Sequence, residues 1–131
     1  MRLIYPAVFY PCKNKSGYTV EVPDLPGCVT EGDSLADAIM MGTDAASGWI
    51  LDELEDGKAY PKASDASEVK VRKGGIVNLL VLDMDAYAEK YGNKSVRKNI
   101  SIPAFMDTFI ERNGMSLSKI TQDAIADIMS Q

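Results

Sequence analysis

The stretch VRKNISIPAFMDTFIERNG, Val96 to Gly114, decides how the chain is to be read. In its first residues the polar Arg97, Asn99 and Ser101 alternate with the apolar Ile100 and Ile102, the period of two expected of a β-strand with one wet and one dry face. Pro103 follows at once, and a proline at the first helical position has its φ preset and no N–H to leave unpaired, so a helix is predicted to begin there. Phe105, Met106, Phe109 and Ile110 supply the apolar face of that helix, and Asn113-Gly114 closes it, since glycine takes the left-handed cap conformation without steric cost. Ser116 then caps a second helix with the stripe Leu117, Ile120, Ala124, Ile125 and Ile128.

A strand and two helices in so short a segment bury too little surface to stand alone. A second copy solves the problem. Two strands paired antiparallel, with four helices packed beneath them, would form a dimer core from Ile100, Ile102, Phe105, Phe109, Ile120 and Ile125 and turn Arg97, Asn99 and Ser101 of both copies outward. A two-stranded ribbon fits a DNA major groove, where arginine bonds bidentately to guanine, asparagine to adenine and serine to either. Lys98 adds charge beside these residues, and the N–H groups that open the second helix, with Ser116, Ser118 and Lys119, suit a phosphate. The competing reading is a dimerisation tail that touches no DNA, and it would be indifferent to the loss of Arg97.

Charge separates this segment from the rest. The 131 residues carry a net charge of −5, which argues against a surface that is basic throughout. Residues 1–92 hold 9 Lys and Arg against 15 Asp and Glu, whereas residues 93–131 hold 5 against 4, so the balance moves from −6 to +1. The change falls at NKSVRK, Asn93 to Lys98, and two domains are expected, 1–92 with a linker at its end and 93–131. The linker DMDAYAEKYGNKS reads equally as a short helix or a tether. No apolar run is long enough for a membrane span and no signal-type cleavage pattern precedes the first strand, so a cytoplasmic protein without a membrane partner is expected. Cys12 and Cys28 lack CxxC spacing and the chain has no histidine, so the usual zinc arrangements lose most of their ligands; two buried free thiols are expected in preference to a disulfide, and no cofactor is expected.

The first ninety residues read as α+β. RLIYPAVFY and GYTVEVP are β-rich and are separated by CKNKSG, where Asn14 and Ser16-Gly17 supply turn chemistry for a hairpin. Pro26-Gly27 turns the chain into a short third strand, Cys28 to Glu31, at a sheet edge. Ser34 with Asp37 forms a capping box for a helix whose buried face runs through Leu35, Ala38, Ile39, Gly42, Ala45, Ala46, Trp49, Ile50 and Leu54 until Gly57. Val69 and Val71 suggest a further strand, Lys73-Gly74-Gly75 a turn, and the apolar run Ile76 to Leu82 a central strand. The acidic cluster Asp52, Glu53, Glu55 and Asp56 is read as a solvated helix end, because it has none of the spacing of a calcium loop.

With these elements in place, VRKNISIP, the NG turn and SLSKITQDAI resemble the ribbon-helix-helix family, and YTVEVPDLPGCVTEGDSLADAI resembles the HicB antitoxins. The resemblance covers nearly the whole chain. It implies a degenerate RNase H-like N-terminal domain that binds and neutralises a small mRNA-cleaving HicA toxin, followed by a strand-helix-helix domain that dimerises, binds the operator DNA and represses the operon. It leaves a tetramer open. Leu117 stands where many ribbon-helix-helix proteins carry an arginine, which shifts the phosphate grip to backbone N–H groups and Lys119. A toxin that binds RNA presents basic surface, so the acidic domain suits it, and Asp24, Glu31 and Asp33 in DLPGCVTEGD are expected at or near the toxin interface. A magnesium-dependent nuclease is the less favoured alternative: its carboxylates must converge, and the predicted strands are mostly apolar apart from Glu21. The expectation is therefore a protein that is not an enzyme.

Overall fold

The computed structural model describes residues 1–13, 16–93, 95 and 97–131. Asn14, expected in the first turn, and Lys94 and Val96 of the basic stretch lie outside the described residues. The chain divides into two compact units, Met1–Lys94 and Ser95–Gln131.

In the first unit, β1 (Arg2–Pro11), β2 (Tyr18–Glu21), β3 (Val29–Gly32) and β4 (Ile76–Asp83) form an antiparallel sheet in the order β3-β2-β1-β4. The long strand β1 is the spine, pairing with β2 from Val8 opposite Glu21 to Pro11 opposite Tyr18 and with β4 from Arg2 opposite Asp83 to Phe9 opposite Ile76. One face is covered by α1 (Leu35–Glu55). Tyr5, Ala7 and Phe9 of β1, Val20 of β2 and Leu80 and Leu82 of β4 meet Ala38, Ala46 and Ile50 of the helix in one buried cluster. Small residues let the layers approach: a Cβ on Gly42 would sit 3.1 Å from Cγ1 of Val20, tighter than ordinary packing. The capping box forms as expected, with Asp37 N–H donating to Ser34 Oγ at 3.0 Å and the Asp37 carboxylate accepting from Asp33 N–H at 2.9 Å. The helix stops at Gly57, whose φ of +73° is open to glycine without strain.

Two expectations need correction. The apolar run Ile76 to Leu82 is an edge strand and not a central one, because β2 and β1 take the inner positions and, among the described residues, β4 pairs with β1 alone. Periodicity does not distinguish a strand buried on both faces from an edge strand whose outer face is apolar. The second correction concerns Val69 and Val71, which form no strand; a short 3-10 turn, Ala66–Glu68, precedes them and an irregular segment lies against the sheet. Arg72 explains the difference. Its backbone N–H donates to the Tyr10 hydroxyl at 3.2 Å, its guanidinium lies 4.3 Å above the Tyr10 ring and it reaches Glu21 at 3.1 Å, so side chains replace a ladder. Gly75 fits the close approach, since a Cβ there would come within 2.5 Å of Val71 Cγ1.

The linker left open by the sequence is helical over α2 (Met84–Tyr91), where Asp83 caps the first turn by accepting from Ala86 N–H at 3.1 Å. Asn93 N–H then donates to the Glu55 carboxylate at 3.2 Å, which ties the end of this segment to α1.

The second unit contains α3 (Ala104–Arg112) and α4 (Leu117–Met129). Pro103 stands at the N-cap of α3, one residue earlier than expected, Gly114 with a φ of +60° closes the helix, and Ser116 Oγ accepts from Lys119 N–H at 3.2 Å to cap α4. Residues 97–103 form no strand within the single chain. None of the described residues from Ser95 to Gln131 is buried.

Candidate functional site

The residues expected to act on DNA lie on the arm 97–103 and the first turn of α4. Arg97, Lys98 and Ile100 share a groove of about 560 Å³ with Leu117, Ser118 and Ile125, so the structure brings Arg97, Lys98 and Ser118 together. Asn99, Ser101, Ser116 and Lys119 do not line that groove. The Ser116 hydroxyl oxygen is engaged as the cap of α4, and Lys119 Nζ lies 3.6 Å from Asp123 Oδ2, an exposed pair worth roughly 0.3–0.5 kcal/mol. Such a pair yields readily to a competing phosphate.

The expected dimer core is open to solvent in the single chain. Phe105 is 70% and Phe109 61% exposed, Ile100, Ile120 and Ile125 are exposed as well, and Ile102 is half-buried. Phe105, Met106, Phe109 and Ile110 of α3, with Met115 and Ile120, surround a second groove of about 440 Å³ that is almost wholly apolar. Exposed apolar surface of this extent, on a unit none of whose described residues is fully buried, is unusual for a protein surface.

The three carboxylates expected near a toxin are not equivalent. Asp24 uses both oxygens on Ser64, accepting from its backbone N–H at 2.8 Å and its hydroxyl at 2.6 Å. These bonds fasten the segment after α1 to the DLPG turn, and the bond from the Tyr5 hydroxyl to the Pro61 carbonyl fastens it to β1. Burial pushes the Tyr5 phenol above its ordinary range, with Tyr60 and Asp24 adding to the shift. Glu31 lies on β3, at the sheet edge remote from β4, and Asp33 follows it. Among the described residues no three His, Cys, Asp or Glu side chains are arranged to hold a metal ion, and both cysteines are free. No described helix is long and apolar enough to cross a membrane.

Sequence reasoning missed the surface along β4. Ile4, Leu79 and Val81 are each about half exposed, and Val81 shares a groove of about 450 Å³ with Met40 and Asp44 of α1 and Tyr87 and Tyr91 of α2. The uncharged run is visible in the sequence, but its place at an edge depends on which strand pairs with β1.

Comparison with known proteins agrees with this architecture. The family model described as HicB-like antitoxin of bacterial toxin-antitoxin system matches residues 5–125. An "Uncharacterized 14.9 kDa protein in rep-hol intergenic region" of Haemophilus phage HP1 (strain HP1c1) is 33% identical over 94 residues, 72% of this chain and 70% of that protein. Among solved structures, a toxin-antitoxin complex from Streptococcus pneumoniae contains a chain that superposes with a TM-score of 0.74 at 22% identity, covering 97% of this chain and 99% of that one. The antitoxin HicB of Burkholderia pseudomallei superposes with a TM-score of 0.57 at 24% identity, covering 94% and 96%. At these identities the structural likenesses establish the fold.

Proposed function

This chain belongs to the HicB-like antitoxin family, and from that premise we propose that it pairs through its first unit with a HicA-like toxin and represses its own operon through its second. The observation that carries the reading is the contrast inside the second unit, where an exposed apolar face lies next to an arm bearing Arg97 and Lys98. Two copies cover that face, the arms pair into a ribbon, and Arg97, Asn99 and Ser101 turn outward toward the bases. The arm then acquires in the dimer the strand partner that a single chain does not offer. Ser116, Ser118 and Lys119 position the phosphate backbone, with the α4 N–H groups supplying most of the grip because Leu117 brings no charge.

In the first unit the proposed partner is the toxin, and no catalytic step is assigned. A net charge of −6 over residues 1–92 favours a basic protein, and Glu31 and Asp33 serve as steering charges. Asp24, engaged with Ser64, takes a structural part beside them.

The decisive experiment is a salt-resolved titration of the DNA upstream of this protein's own reading frame, comparing wild type with Arg97→Ala. Binding should fall steeply with salt, and the substitution should cost roughly 1–3 kcal/mol at the matched sequence. A folded dimer that binds no DNA would leave the second unit as an assembly device alone.

A further inference from the structure

The two edges of the sheet are built in opposite ways. β3 is four residues long, carries Glu31 and is followed by Asp33, a short and charged edge of the sort that discourages strand addition. β4 is eight residues long, IVNLLVLD, with no proline and no charge before Asp83. Its inner side is paired with β1 along the whole length, and among the described residues no strand pairs with its outer side. Leu79 and Val81 are about half exposed, as is Ile4, directly opposite Val81 on β1, so an apolar strip borders the edge. Length and composition by themselves make β4 a template to which a second copy of the chain would add the same strand. Charge does not prevent it, because the groove at the Val81 end is lined by Lys90 as well as Asp44 and Asp83.

Asn78 changes the chemistry of this edge. Opposing residues of an antiparallel ladder alternate between pairs that exchange N–H···O bonds and pairs that do not. Leu79 stands opposite Pro6, which has no N–H, and its own N–H donates to Asn78 Oδ1 at 2.9 Å, so this pair is of the second kind. The N–H and C=O groups of such a residue point away from β1, and by the same alternation so do those of Val77 and Val81. Leu79 is therefore the middle one of three outward amides, and its donor is already taken. Asn78 is exposed and is the one polar side chain in the run from Ile76 to Leu82.

We infer that Asn78 guards the sheet: its carboxamide closes the β4 edge to strand addition by a second copy of this chain. An incoming strand needs a donor at every second residue of the edge, and at Leu79 it must first strip away the Asn78 oxygen and leave that group unpaired beside an apolar strip. A second copy meets the obstacle twice, because a two-fold axis that sets β4 against β4 brings both Asn78 side chains into one ladder. The β3 edge is defended by charge and the β4 edge by occupying a main-chain donor. The inference stands apart from the proposed toxin and operator, since it concerns what keeps the first units of two copies separate whatever the second units do.

The test is sedimentation velocity of the full chain and its variants over a wide range of concentration, beside hydrogen exchange at single amides. Asn78→Val substitutes a stronger strand former, so the fold is kept while the Leu79 donor is freed. It should add a larger species that grows with concentration and is absent from the wild type. Combining it with Val81→Lys should remove that species, because a cation on the exposed edge opposes pairing, and this locates the new contact on β4. Exchange gives a readout independent of assembly: in Asn78→Ala at low concentration the Leu79 amide, corrected for the intrinsic effect of its neighbour, should exchange at least about fivefold faster than in the wild type, with Leu80 and Leu82 unchanged. An Asn78→Val chain that sediments as the wild type at every concentration would overturn the inference. So would a Leu79 rate indifferent to the loss of the carboxamide, or a wild-type assembly that Val81→Lys alone breaks down.

Discussion

The two units solve the problem of burial in different ways. Met1–Lys94 closes around Tyr5, Phe9, Leu25, Ile50, Leu80 and Leu82, all essentially inaccessible to solvent, and its sheet and helix hold each other in place. Ser95–Gln131 has two helices with clear apolar stripes, the second capped by Ser116, yet none of its described residues is buried. Patterning alone therefore does not make a core. A helix pair has only one face to offer the other, and what remains of each stripe stays open within that unit.

The contrast can be broken most severely from within the first unit. Phe9→Ala removes a ring that is fully enclosed between sheet and helix, and should cost about 3–5 kcal/mol, seen as a lowered thermal midpoint that does not depend on protein concentration. The corresponding change in the second unit should behave otherwise. Phe109→Asp, at a position 61% exposed in the single chain, should leave the melting of the first unit unchanged but shift sedimentation from dimer to monomer, weakening association by roughly 2–4 kcal/mol if the ring anchors the interface. A dimer untouched by that substitution would place the interface elsewhere.

Smaller effects sharpen the comparison. Asp24→Ala removes two hydrogen bonds to Ser64 and should cost about 1–2 kcal/mol, with faster limited proteolysis in the segment after α1 as the specific sign of a released fastening. Lys119→Ala loses only the exposed pair with Asp123, so stability should change by less than about 0.5 kcal/mol while DNA affinity falls uniformly across sequences and its salt slope becomes shallower. That separation of folding from binding would mark Lys119 as a phosphate contact.

Much of the molecule is legible in short runs of residues. The hairpin, the capping box at Ser34 and Asp37, the close approach at Gly42, the stop at Gly57 and the caps at Ser116 and Gly114 are all dictated by a few neighbouring residues, and each appears where the sequence places it. The segment at Val69 and Val71 escapes such a reading, because two alternating valines carry no information on whether a Tyr10 hydroxyl waits for the next amide.

What the sequence determined by itself, then, is most of the local alphabet: the four strands of the sheet, the helices α1, α3 and α4 with their apolar faces, and a charge balance that changes near residue 93. Tertiary structure alone decided that β1 is the spine and β4 the bare edge, that Asp24 fastens a segment of its own chain, and that β4, Met40 and Tyr87 meet at one groove. The reason is physical. Capping and periodicity act over one or two turns of chain, whereas the pairing of β4 with β1 and its meeting with α1 depend on contacts between residues roughly forty to eighty positions apart, which no local pattern encodes.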